Sequence, residues 1–88
     1  MKAIWKYQLF VADTLQALEM PKDSRIIYVA EQNGAICLWA LVSISPKATT
    51  ETRHFIIHGT GHPVRAQESY VGSAQIGTFV WHVFEEEA

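Results

Sequence analysis

Cysteine is almost absent from this chain, with Cys37 standing alone. A single thiol permits no internal disulfide and excludes a zinc site built from several cysteines. Charge is scarce too, at 18% of residues against the usual quarter or so. The basic residues Lys2, Lys6, Lys22, Arg25, Lys47, Arg53 and Arg65 are scattered. No basic run tracks a phosphate backbone, which argues against general nucleic-acid binding. No apolar stretch approaches membrane-spanning length, so no membrane partner is expected. The segment after Lys2 is interrupted by Lys6, Gln8 and Asp13, unlike the apolar core of a signal peptide. A reducing cytoplasm is the expected setting.

What is present is apolar and aromatic. Of 88 residues, 49% are hydrophobic and 11% aromatic, and the formal net charge is −2. That length suits one domain, residues 1–88, with a core rich in large side chains. The low charge also suits a surface that a partner covers in part. The acidic end Glu85-Glu86-Glu87 reads as a solvated terminus.

Strand signals dominate. In Ala3–Val11, Ala3, Trp5, Tyr7, Leu9 and Val11 share one face, and Ile4, Lys6, Gln8 and Phe10 share the other. Asp13–Met20 has two readings. Asp13 and Gln16 suit a short helix cap, whereas Gln16, Leu18 and Met20 suit a strand face, and the strand is preferred. Arg25–Gln32 and Ala35–Val42 flank Asn33-Gly34, a type I′ hairpin signal. Ile36, Leu38, Ala40 and Val42 oppose Cys37, Trp39 and Leu41, so this strand is expected to be buried on both faces. Ser43–Thr50 reads as a loop and Glu51–His58 as a strand. Pro63–Ser69 reads as a polar connection, and Tyr70–Ala74 pairs with Thr78–Phe84 across Gln75-Ile76-Gly77. The fold expected is all-β: a small antiparallel sandwich or barrel of six to seven short strands, with Trp5, Trp39 and Trp81 as core candidates.

Candidate chemistry centres on the stretch His54–Val64, HFIIHGTGHPV. His54, His58, His62 and His82 offer imidazoles, but Gly59 and Gly61 disfavour a helical ligand pair, and Glu51 is the one carboxylate near the first three in sequence. His58-Gly59-Thr60 resembles half of a two-histidine phosphoesterase motif, yet His82-Val83-Phe84 supplies no second hydroxyl. Gly59-Thr60-Gly61 lacks the third glycine of a dinucleotide loop, and Pro63 removes a donor. Cys37 alternates with apolar neighbours and reads as a buried thiol. No catalytic residue, metal-ligand set or cofactor is assigned. Gly59 or Gly61 is expected at positive φ, making this stretch a corner between strands. Were a ligand held there, His58, Thr60, His62 and Arg65 would line its pocket.

Several further stretches come in a recognisable order: Trp5-Lys6, Met20-Pro21, Leu38-Trp39-Ala40-Leu41-Val42, Phe55, Gly59-Thr60-Gly61-His62-Pro63, Tyr70-Val71-Gly72 and Val80-Trp81-His82-Val83-Phe84-Glu85. In this the chain resembles a family of small uncharacterised proteins of bacteriophages and prophages, catalogued as a domain of unknown function. It departs from that pattern at Ser73, where a threonine is expected, and in a longer Ser43–Thr50 loop. The resemblance implies a phage-encoded accessory protein in the host bacterial cytoplasm, with no catalytic residues to carry over.

Three functions are then in play. The first is a binding module that blocks a host protein, such as an antiviral-defence component, stoichiometrically. It would be a homo-oligomer, with the edge strand residues Trp5, Lys6, Tyr7 and Gln8 at an interface. The second is a small-ligand or nucleotide-signal binder at the Gly59–His62 turn. The third is a metal-dependent or phosphoesterase-like enzyme using the histidines.

Overall fold

The computed structural model describes Met1–Glu87. Within these residues there are seven strands and no helix: β1 Lys2–Leu9, β2 Gln16–Pro21, β3 Arg25–Gln32, β4 Ala35–Ser43, β5 Thr50–Gly59, β6 Glu68–Ile76 and β7 Phe79–Glu86. They form two antiparallel sheets, ordered β1-β4-β3 and β2-β5-β7-β6, packed face to face. The all-β expectation therefore holds, and Asp13–Met20 resolves as a bend at Asp13-Thr14 leading into strand β2.

Period-2 alternation decides which side chains meet between the sheets. From the first sheet come Leu9, Ile36, Leu38, Ala40 and Val42; from the second, Met20, Phe55, Ile57 and Val83. The turns follow their residues. Asn33 and Gly34 both take positive φ, as a type I′ hairpin requires, and Glu31 accepts the Gly34 N–H at 2.6 Å. The last hairpin turns at Gly77-Thr78, one residue later than expected, with Gly77 at φ 59°.

Three expectations about the aromatic core are corrected. Trp39 is half-buried on the outer face of β4, against Tyr28, with ring centroids 5.5 Å apart. Trp5 is 45% exposed, and Trp81 is half-buried. The core is mainly aliphatic around Phe55, since Trp39 lies on the outward face of β4 and Trp5 borders the open side of the sandwich. β4 is sealed on its inner face alone; outside, Cys37 is buried but Trp39 and Leu41 are not.

Edge strands β3 and β6 lie against each other and close one side of the sandwich. Gly72 permits this approach, since a Cβ there would stand 2.6 Å from Val29 Cγ2. The opposite side, between β1 and β2, stays open.

Candidate functional site

β5 and β6 both run antiparallel to β7, so they are parallel to each other with β7 between them. The connection Thr60–Gln67 must therefore cross the sheet lengthwise. Phe55, Ile57 and Val83 are sealed by the other sheet, so the crossing runs over the outer face. On that face β5, β7 and β6 set His58, His82 and Ser73 side by side.

Beneath the crossing lies a carboxylate that no sequence pattern singled out. Glu68 has a side chain only 1% exposed; its Oε1 accepts from His58 Nε2 at 2.5 Å, and its Oε2 pairs with Arg65 Nε at 3.2 Å. Burial pushes the Glu68 carboxyl up, but the hydrogen bond and charge of His58, with the backbone and guanidinium of Arg65, hold it below its ordinary value. Glu51 was the carboxylate expected near the histidines; the crossover brings Glu68 there instead. His82 bonds Ser73 Oγ through Nδ1 at 2.8 Å and Thr60 Oγ1 through Nε2 at 2.9 Å, and Tyr70 extends this chain to Ser73 at 2.8 Å. His62 Nδ1 accepts the Gly59 N–H at 3.0 Å. His54 is exposed on β5, away from this cluster.

His58, Thr60, His62 and Arg65 thus share one corner, but they do not converge on one point: His58 and Arg65 both bond Glu68, Thr60 bonds His82, and His62 bonds Gly59. A shallow depression of about 310 Å³ beside them is lined by Asp13, Ile56, Ile57, His58, His62 and Pro63, and includes neither Thr60 nor Arg65. Among the described residues, no three His, Cys, Asp or Glu side chains group closely enough to hold a metal ion. The two glycines differ in their work. Gly61 takes φ 94°, whereas Gly59 makes room, because a Cβ there would stand 3.1 Å from His62 and 3.3 Å from Trp81.

A larger depression, about 600 Å³, lies at the other end of the sandwich, rimmed by Asp23, Glu51, Glu85, Glu86 and Glu87 around Arg53. Arg53 is committed there: Nε and Nη2 donate to Glu85 at 2.6 and 2.8 Å, and Nη1 donates to Ser24 O at 2.5 Å. Its place on the inner face of β5, in step with Phe55 and Ile57, was the one sequence signal for a half-buried cation.

The three-stranded sheet presents a different surface. Among the described residues, no strand crosses its outer face. Ile4, Leu41 and Arg25 form one row across it, and Lys6, Trp39 and Tyr28 the next. Ile4 is 59% and Tyr28 61% exposed. Of the four residues expected at an interface, Trp5, Lys6 and Gln8 are exposed on β1; Tyr7 turns inward, and its hydroxyl is buried without a partner.

β1 is also a bare edge. Met1 O accepts the Ile44 N–H at 3.2 Å, so Met1 and Ile44 form a hydrogen-bonded pair in the β1–β4 ladder. Such pairs alternate along an antiparallel ladder. Ala3, Trp5, Tyr7 and Leu9 therefore point their backbone groups at β4, while Lys2, Ile4, Lys6 and Gln8 point theirs outward.

A family model described as a domain of unknown function, DUF7352, matches residues 1–88. The chain belongs to DUF7352. No curated protein and no solved structure matches it. Membership in DUF7352 assigns no activity, so the reading of this DUF7352 domain rests on its surfaces.

Proposed function

We propose that this domain is a binding module that blocks a host component stoichiometrically by occupying its surface. One observation carries the reading. The outer face of the β1-β4-β3 sheet sets Trp39, Tyr28, Arg25 and Ile4 in adjacent rows, and among the described residues no strand lies over them. The outer face of the other sheet is crossed by its own connection. Tryptophan, tyrosine and arginine are the residue types that dominate binding energy at protein interfaces, and a rigid sheet presents them at little entropic cost. The resemblance to phage and prophage proteins supports a bacterial host as the source of the partner.

The two rival readings have less support. For a ligand site, Thr60 and Arg65 are already bonded to His82 and Glu68. For a two-histidine enzyme, His58 faces a buried carboxylate while His82 bridges two hydroxyls.

The test is dose in bacterial cells. Inhibition should scale with the ratio of this protein to its target and saturate near equivalence. Tyr28→Glu, an exposed position on the proposed face, should abolish it without unfolding the domain. Turnover of a nucleotide or nucleic acid by substoichiometric protein would replace this reading with an enzymatic one.

A further inference from the structure

Among the described residues the sandwich has four edge strands, and three are guarded. β3 and β6 lie against each other, with Val29 over Gly72. β2 is six residues long and ends at Pro21, and the Gln16 side chain at its start is bonded to both backbone groups of Phe10. β1 is different. It has eight residues, with no proline, glycine or bulge, and its outward backbone groups on Lys2, Ile4, Lys6 and Gln8 meet no other strand. A bare edge of this kind is a template for another strand.

We infer that β1 pairs with β1 of a second copy, antiparallel about a two-fold axis at Trp5. The register follows from the strand itself. With the axis at Trp5, Lys2 of one copy stands opposite Gln8 of the other, and Ile4 opposite Lys6. All the outward residues of both edges then form hydrogen-bonded pairs, and no lysine directly faces a lysine. Moving the axis to Ile4 sets Lys2 against Lys6. Moving it to Lys6 sets that lysine against itself, and like charges directly opposed are destabilising. Moving it to Ala3 or Tyr7 leaves half of the outward residues unpaired. The Lys6 ammonium is moreover drawn away from the seam, since it donates to Gln32 Oε1 at 2.7 Å across the sheet.

The axis also gives Trp5 a partner. Trp5 projects toward the open side of the sandwich, beside a depression of about 270 Å³ shared with Glu19, Pro21 and Ile44. In this register the two Trp5 residues occupy a non-hydrogen-bonded pair, the position where opposing side chains come closest, with Cα atoms about 4.5 Å apart. The three-stranded sheets join into one continuous sheet, and their outer faces become a single surface across the axis. This assembly stands independently of whether that surface engages a host protein.

Sedimentation of the untagged chain should give twice its 9.9 kDa mass, with dissociation on dilution. Ile4→Pro removes an outward N–H that β4 does not use and should give the monomer mass with an unchanged β-sheet spectrum. A cysteine scan fixes the register and does not depend on that variant folding. In a Cys37→Ala background, Trp5→Cys should cross-link two chains under mild oxidation, because the expected Cα separation lies within disulfide range. Ile4→Cys and Lys6→Cys should not, because each then meets its own copy only diagonally, about 7–8 Å away. A monomer at every concentration tested, or preferential cross-linking at position 4 or 6, would overturn the inference.

Discussion

His58 on β5 and Glu68 on β6 meet at 2.5 Å although β7 runs between their strands. The bond spans the outer face and pins the Thr60–Gln67 crossing to it, with Arg65 as a second tether. This contact converts a polar connection into an ordered cover and gives the fold a dependence on acid.

The sign of that dependence follows from the lowered Glu68 carboxyl. A carboxyl whose folded value lies below its ordinary 4.5 stabilises the fold fully above that value and loses the contribution as pH falls through the folded one. Glu68→Gln should flatten this acid limb and, near neutrality, cost roughly 1–3 kcal/mol by removing a buried charged acceptor. Urea midpoints measured from about pH 3 to about pH 7 for both proteins check it. An acid limb identical in the two would show that other carboxylates govern it.

The two corner glycines should fail for different reasons. Gly61→Ala strains a left-handed backbone with open space around it, and should cost about 1 kcal/mol whatever its neighbours are. Gly59→Ala meets side chains instead, so its cost should fall in a His62→Ala background, where the ring 3.1 Å away is gone. Stability of the four variants decides it: equal costs of Gly59→Ala with and without His62 would contradict the steric account.

Much of this architecture was legible because strands obey a two-residue period. Alternation in β1 and β4 and the Asn33-Gly34 hairpin named the strands and grouped Ile36, Leu38, Ala40 and Val42 on one face. Alternation does not say which face of a strand a second sheet covers or which strand borders an open side, and so it misplaced Trp39 and Trp5. The corner was equally half-readable. Gly61 announced itself by composition, whereas Glu68 meets His58 only because β7 inserts between β5 and β6, and strand order is not a local property. DUF7352 membership leaves the site unassigned.

Relocating the aromatic residues changes what truncation should do. Phe55 is fully buried between the sheets, and Phe55→Ala should cost about 3–5 kcal/mol through lost burial and a cavity. Trp39 keeps one face in solvent against Tyr28, and Trp39→Ala should cost clearly less while weakening any partner bound to that face. Paired denaturation curves separate the two. A Trp39→Ala loss as large as that of Phe55→Ala would return Trp39 to the core.

The closed side of the sandwich includes one contact that a single methyl should disturb. At Gly72 a Cβ would stand 2.6 Å from Val29 Cγ2 and 2.8 Å from Val29 Cβ. The second distance matters more. A γ-methyl can swing away, but a Cβ moves only with its backbone, so Gly72→Ala must push β3 and β6 apart. Overpacking of this kind typically costs about 1–3 kcal/mol. The φ at Gly72 is not positive, so the backbone itself tolerates alanine and the penalty is steric. Val29→Ala should rescue little, because it keeps the offending Cβ. Val29→Gly should remove most of the extra cost of Gly72→Ala, although it destabilises on its own. The double-mutant cycle isolates that coupling from the separate losses. A coupling near zero with Val29→Gly would mean that β6 is held against β3 by other contacts and that Gly72 is not what sets the approach of the two edges.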